Sequence, residues 1–183
     1  MGLGNPGRKY SDTKHNFGFW VVDRFIEKRS LTFQAGKGDY VIAKRGNIIC
    51  IKPTTFMNNS GVALLDIKKF FKVEPENFLV VYDDIDLPLG TIRFRKEGGS
   101  GGHKGLESII YQLQSENFNR IRLGIATNEN MRPSEKFVLS PFQKDDEELK
   151  KEVVERACKG VNYYLSHDIE ETMNKFNERI GKE

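Results

Sequence analysis

The sequence predicts an α/β fold in which residues 1–183 form one domain, a three-layer sandwich with helices on both faces of a mixed, mostly parallel central sheet. Two observations support this prediction. Short apolar runs, typical of buried strands, alternate along the whole chain with longer segments that repeat apolar residues at helical spacing. A chain of 183 residues with 38% hydrophobic and 30% charged residues is also long enough to bury a sizeable core without disulfides.

Composition limits the class of protein. No apolar run is as long as a membrane helix and no secretory signal precedes the first charges, so we expect a cytoplasmic protein with no membrane partner. Cys50 and Cys158 lie in apolar segments without CxxC spacing, which is typical of reduced core thiols. The net charge of +3 indicates no partner by itself, so the local placement of arginines has to support any interaction with nucleic acid.

At the start of the chain, residues 2–7 satisfy the pattern GxGxxG. A dinucleotide site needs a strand before this pattern and a helix that opens on its last glycine, and the sequence offers neither. We therefore expect a sharp turn that presents Asn5. Residues 11–13 are helix-capping types and a helical apolar stripe starts at Phe17, so we place His15 in or just before the first helical turn.

The next elements are two extended segments, residues 40–43 and 48–51, and Pro53 ends the second of them. Residues 54–59 make a polar and aromatic loop. Ser60 then caps a helix with apolar residues on one side. The predicted inner face of that helix is Ala63, Ile67, Phe70 and Phe71.

The central part of the chain begins with an apolar strand over residues 78–82, which ends in Asp83, Asp84 and Asp86. Open α/β sheets bind ligands at this end of their strands. Three interpretations of the carboxylates remain open: a site for a hard divalent cation, a turn whose acids cap backbone groups or pair with arginines, and an acid that orients a histidine. We favour the last two over metal because the sequence has no second cluster of ligand-type residues.

A turn at residues 87–90 leads to a strand over 92–95 and then to the glycine loop, residues 98–102. The loop also satisfies GxSxG, but a nucleophile elbow needs an apolar strand directly before its serine, and Arg95-Lys96-Glu97 is not one. Four glycines suit a flexible loop or one that approaches phosphate. The remaining predicted elements are a helix over 106–113, a strand over 120–125, an unassigned polar stretch over 126–136, and helices over about 145–165 and 169–179.

His15 and His103 lie at the ends of elements, beside polar or glycine-rich turns, where functional residues concentrate. Neither has a cysteine or a convincing serine partner, so activation of water fits better than nucleophilic catalysis. The two strands over 92–95 and 120–125 alternate apolar residues with arginines. Their arginines form either a solvated sheet face or, if the strands are neighbours, a cradle for phosphates; the residues are Arg93, Arg95, Arg120 and Arg122.

Taken together, these segments resemble the bacterial-type peptidyl-tRNA hydrolase family. The resemblance covers essentially the whole chain, in order and at the family's spacing. The matching runs are residues 2–7, Tyr10, residues 13–16, 53–61, 83–88, 98–106, 122–125 and 138–142.

The resemblance implies a phosphorylase/hydrolase-like fold and hydrolysis of the ester that joins a peptide to the terminal ribose of tRNA, without a cofactor or metal. It implies that His15 is the general base that activates water, that Asp83 orients it, and that Asn5 contacts the peptidyl end. Asn58 would position substrate or water. The residues implied to bind tRNA or to line the cleft are Tyr10, Phe56, Met57, His103, Lys104, Arg95 and Arg122.

Three features depart from the family pattern. The family usually has an apolar strand before its first glycine turn, whereas this chain starts at Met1-Gly2, so either the sequence is truncated or the sheet lacks its usual first strand. Lys104 stands where asparagine is common, and it would contact tRNA through charge. The polar run over residues 127–131 also differs. We expect a monomer that binds the acceptor stem and CCA end of peptidyl-tRNA. The alternative is a non-catalytic RNA-binding protein of the same fold, and the joint presence of His15, Asp83, Asn5 and Asn58 favours the enzyme.

Overall fold

The computed structural model describes residues 1–181. The helices are α1 (Phe17–Glu27), α2 (Ser60–Phe71), α3 (Lys104–Leu113), α4 (Ser134–Val138), α5 (Glu147–Tyr164) and α6 (Ile169–Phe176), and the strands are β1 (Gln34–Ala35), β2 (Tyr40–Arg45), β3 (Ile48–Pro53), β4 (Leu79–Pro88), β5 (Thr91–Arg95), β6 (Asn119–Ala126) and β7 (Glu178–Arg179). Short 3₁₀ turns at Arg8–Tyr10, Lys14–Asn16 and Met57–Asn59 carry several of the predicted site residues.

The main sheet has the strand order β4-β6-β5-β7, and β1, β2 and β3 form a separate antiparallel sheet. The main sheet is mixed, as predicted. The expectation that it is mostly parallel is corrected: among the four strands described within residues 1–181, the pair β4–β6 is parallel, whereas the pairs β5–β6 and β5–β7 are antiparallel. The physical reason is the tight connection after β4: Leu89 and Gly90 reverse the chain, so β5 runs opposite to β4 and is therefore antiparallel to β6, which lies between them and is parallel to β4.

Residues 1–3 lie between β3 and β4 and connect the two sheets. Gly2 forms a parallel bridge with Val81, the Leu3 amide donates to the Val81 carbonyl at 2.9 Å, and the Gly2 amide donates to the Ile51 carbonyl at 3.1 Å. Residues 1–3 therefore add a short parallel ladder to β4, although they form no full strand.

Alternation along β4 divides the core between the two faces of the sheet. Val81 packs in a cluster with residues of α1, α5 and α6, and Val80 and Tyr82 pack in a second cluster with α2 and α3. The sheet thus has helices on both faces, as the predicted three-layer sandwich requires. Within residues 1–181, none of the helices combines the length and the apolar character needed to cross a membrane.

A close approach between α1 and β4 brings two distant parts of the chain together. A Cβ atom on Gly18 would lie 2.2 Å from the Val81 carbonyl oxygen, so only glycine permits this distance.

Two predictions about neighbouring elements were wrong. β4 continues beyond the predicted end at residue 82 to Pro88, inside the expected turn over residues 87–90, and Phe70 of α2 is 52% exposed rather than on the inner face.

Candidate active site

A cleft of about 800 Å³ opens above the carboxyl end of β4. The 3₁₀ turn that contains Met57, the glycine loop and α4 form its walls. All the predicted site residues except Tyr10 line it. The predicted residues among its lining are Asn5, His15, Phe56, Met57, Asn58, Asp83, Arg95, His103, Lys104 and Arg122.

His15 and Asp83 meet at the floor of this cleft, although 68 residues separate them in the chain. The His15 Nδ1 atom lies 2.9 Å from both carboxylate oxygens of Asp83. Because an ionised carboxylate only accepts hydrogen bonds, Nδ1 carries the proton and the lone pair lies on Nε2. His15 is 9% exposed and lines the cleft, so the arrangement holds a basic ring nitrogen in a largely desolvated position.

His103 makes a second contact with the same carboxylate. It is the N-cap of α3, and its Nδ1 accepts hydrogen bonds from the amides of Gly105 at 3.1 Å and Leu106 at 3.3 Å. Its proton is therefore on Nε2, which donates to Asp83 Oδ1 at 3.2 Å. The helix terminus thus selects the neutral tautomer of His103 that can support Asp83.

The Asp83 carboxyl is buried, and burial opposes its ionisation. The electrostatic attraction of His15 and the hydrogen bonds from His103 and His15 outweigh that effect, so the pKa of Asp83 lies well below its ordinary value. Asp83 is therefore a permanent acceptor at neutral pH. Burial also raises the pKa of the neighbouring Tyr82 to about 12, so its phenol stays protonated.

The same three side chains are the one group in residues 1–181 that offers a possible set of metal ligands. One ligand atom each from His15, Asp83 and His103 lies within 4.8 Å of the others. These atoms are already joined by hydrogen bonds, so a cation would have to displace both shared protons. The geometry therefore favours an oriented histidine over a metal centre.

Asn5 lies in the expected turn, and three hydrogen bonds hold it in place. The side-chain amide of Asn16 accepts from the Asn5 amide at 2.7 Å and donates to the Asn5 carbonyl at 3.0 Å. The Asn5 Oδ1 atom accepts from the Met57 amide at 2.8 Å. Since its oxygen is occupied, the NH₂ group of Asn5 is the end available to a molecule in the cleft.

The aromatic residues occupy the outer part of the cleft. Phe56 is 56% exposed, and Tyr10 packs edge-on against it with 6.0 Å between ring centroids. Tyr10 does not itself line the cleft, contrary to the expectation, whereas Phe56 does. Met57 is only 4% exposed and packs closely against Gly105, whereas Asn58 is exposed at the cleft wall.

The arginine-bearing strands are neighbours, as the second interpretation of their pattern requires. In the register of β5 and β6, Arg95 lies opposite Arg120 and Arg93 lies opposite Arg122. Arg122 donates to Asp84 Oδ2 at 2.7 Å, while Arg95 donates to the carbonyl of its neighbour Phe94. Positive charge therefore concentrates beside the glycine loop, with one carboxylate partly balancing it.

Several residues that shape the cleft are not among the site residues that the family resemblance implies. Arg120 is 1% exposed and donates to the carbonyls of Gly99 and Glu116 at 3.0 Å. The bond to Gly99 holds the glycine loop in place. Asn16 orients Asn5, and only its place in the Thr13–Asn16 motif could have indicated it. Residues of the unassigned stretch and of the run that follows it form another wall: Arg132, Ser134, Glu135, Val138 and Leu139.

Comparison with known proteins shows similarity to one family along the whole chain. The family model described as peptidyl-tRNA hydrolase matches residues 1–183. A peptidyl-tRNA hydrolase of Thermoanaerobacter sp. (strain X514) is 45% identical over 183 residues, which cover 96% of this chain and 97% of the relative. One of Alkaliphilus oremlandii is 43% identical over 183 residues, with 97% of both chains covered.

Solved structures show the same similarity. A crystal structure of peptidyl-tRNA hydrolase from Acinetobacter baumannii superposes with a TM-score of 0.89 at 33% identity and covers 97% of this chain and 93% of that one. A peptidyl-tRNA hydrolase in complex with N-propanol gives a TM-score of 0.91 at 32% identity, over 99% of this chain and 94% of that one.

Proposed function

This chain belongs to the peptidyl-tRNA hydrolase family, and we propose that it hydrolyses the ester bond between peptide and tRNA with His15 as the general base. The observation that carries the proposal is the contact of His15 Nδ1 with Asp83 at 2.9 Å, which leaves Nε2 unprotonated at the cleft. From that position His15 takes a proton from water as the water attacks the ester carbonyl. Asp83 holds the tautomer and stabilises the imidazolium that forms.

Hydrolysis of the substrate ester needs only modest catalysis. An aminoacyl-type ester is reactive, so a positioned base that contributes about 10²–10⁴-fold, together with amide donors for the developing oxyanion, is sufficient without a metal or cofactor. Asn58, exposed at the wall of the cleft, would position the substrate or the water. The NH₂ group of Asn5 would bind the peptidyl end, which distinguishes a blocked amine from a free one.

The outer residues would bind tRNA. Phe56, supported by Tyr10, offers an aromatic face for a base of the single-stranded CCA end. Lys104, whose side chain is 63% exposed, would add charge at the same side. Arg95 and Arg122 would contact tRNA phosphates, and His103 would contribute indirectly, through Asp83. We further propose that the chain acts as a cytoplasmic monomer of one domain.

The decisive experiment compares wild type with His15→Ala on an N-blocked aminoacyl-tRNA, in buffer with EDTA because no metal is invoked. We expect turnover by wild type and a loss of at least about 10²-fold in the variant, the usual scale for removal of a general base. His167→Ala is the matched control, since His167 lies on the surface near the end of α5.

Equal ester release by wild type and His15→Ala would contradict the assignment of the base. Release by neither protein, with tRNA still bound, would favour the non-catalytic RNA-binding alternative. Loss of wild-type activity in EDTA with recovery on addition of Zn²⁺ would instead assign His15, Asp83 and His103 to a metal centre.

A further inference from the structure

Lys14 precedes the proposed base in sequence, yet it is fully buried, with 0% of its side chain exposed. A buried ammonium group is costly unless hydrogen bonds and charges compensate it. The Lys14 Nζ atom donates to Ser140 Oγ at 2.9 Å and to the Pro141 carbonyl at 2.7 Å, and it lies 3.3 Å from Glu129 Oε2. All three donor positions of the ammonium group are therefore used.

The remaining contacts of Lys14 reach the same part of the chain. Its Nζ lies 4.4 Å from the centre of the Phe137 ring and 5.4 Å from that of Phe142, which adds cation–π attraction. Its backbone amide donates to the Ser140 carbonyl at 3.0 Å. The main chain and the side chain of Lys14 thus both contact one part of the chain, residues 127–142. We call these residues the wall segment.

The wall segment has little regular structure of its own. Its one helix, α4, comprises only Ser134–Val138, far shorter than a helix needs to be stable by itself. The segment nevertheless supplies five residues that line the cleft on the side of α4. Its position relative to His15 therefore depends on what anchors it, and Lys14 is bonded directly to His15 in the chain.

We propose that Lys14 is a positioning residue that fixes the wall segment against the His15 turn and thereby sets the affinity for the substrate. The proposal rests on the proposed function, since the wall segment borders the cleft where peptidyl-tRNA would bind. Without the anchor, the substrate would have to order the wall segment as it binds, and that ordering raises KM. The His15–Asp83 contact does not involve Lys14, so kcat changes little.

The test compares wild type with Lys14→Met, which keeps the length of the side chain and removes its charge and donors. We expect KM for N-blocked aminoacyl-tRNA to rise by about 10- to 10²-fold, the scale of a misplaced binding surface, with kcat and its pH profile retained. Amide hydrogen exchange of residues 127–142 should accelerate, while that of α1 residues 17–27 should not. Lys14→Arg should restore part of both effects.

Lys52→Met is the matched control. Lys52 also pairs with one carboxylate, Asp23, and lies over two aromatic rings, those of Phe19 and Phe33, but it has no contact with the wall segment. Removal of the Lys52 ammonium group should lower the free energy of unfolding, while KM and the amide hydrogen exchange of residues 127–142 stay as in wild type. The Lys52 side chain is 19% exposed, so this control separates the general effect of removing a partly buried, paired lysine from the loss of this anchor.

An unchanged KM in folded Lys14→Met would overturn the proposal, and so would a fall in kcat with KM retained, which would place Lys14 in the chemical step. If Lys14→Met does not fold, Ser140→Ala removes one of the three acceptors and should give a smaller change in the same direction. The exchange measurement needs no substrate, so it tests the anchor even if the proposed function itself fails.

Discussion

At the floor of the cleft, Asp83 is 1% exposed and accepts hydrogen bonds from two histidines, whereas at the rim Phe56 is 56% exposed and the Lys104 side chain 63% exposed. The floor is held in one geometry by contacts within the protein. The rim offers charge and aromatic surface whose partners would come from the substrate. We infer from this difference that substitutions at the floor should change the chemical step, measured as kcat, and that substitutions at the rim should change substrate binding, measured as KM.

The largest expected effect is at the floor, in Asp83→Asn. An amide can donate to His15 Nδ1, which moves the proton to Nε2 and removes the basic lone pair from the cleft. We expect kcat to fall by about 10⁴-fold, as for the same replacement in a Ser-His-Asp triad, with KM little changed. A loss confined to KM would contradict the distinction between floor and rim.

The same variant gives a test by pH. Because the folded protein holds the pKa of Asp83 below its ordinary value of 3.8, ionised Asp83 stabilises the fold above that value, and this contribution is lost as the pH falls below it. We therefore expect the difference in Tm between wild type and Asp83→Asn to shrink between about pH 5 and pH 3. A constant difference in thermal melts would mean that the carboxylate is not held ionised.

At the rim, Phe56→Ala should raise KM while kcat stays near that of wild type. Stacking of a base on an aromatic side chain contributes about 1–3 kcal/mol, which corresponds to a rise in KM of roughly 5- to 150-fold. Tyr111→Ala is the control, because Tyr111 is 72% exposed on α3 and does not line the cleft. Equal effects of the two alanine variants would exclude a specific stacking role for Phe56.

The smallest effect should come from Arg122→Ala. Removal of one phosphate contact should weaken tRNA binding and reduce the slope of log K against log salt by about 1. Asp84→Asn should have the opposite effect on tRNA binding. Because it removes the carboxylate that pairs with Arg122, we expect the tRNA to bind more tightly. A salt slope that stays constant in Arg122→Ala would remove Arg122 from the phosphate site.

Local patterns were sufficient for much of the fold. Helical spacing from Phe17, the apolar run at residues 78–82 and the alternation in 120–125 each predicted an element that the structure contains, because period and burial act over a few residues. The local pattern failed where tertiary contacts decide. Phe70 has helical spacing but lies outside the core, and α4 forms at the end of a polar stretch, next to contacts from the buried Lys14 to Phe137 and Ser140.

The sequence by itself therefore determined the elements, the mixed α/β architecture and the candidate residues at element ends, since short-range periodicity and turn chemistry are written in neighbouring residues. Only the tertiary structure decided that His15 meets Asp83 across 68 residues, that α3 fixes the tautomer of His103, and that a buried lysine joins the wall segment to the His15 turn. Those contacts depend on chain crossings such as that of α1 over β4 at Gly18, where the distance between backbones sets which side chains can touch.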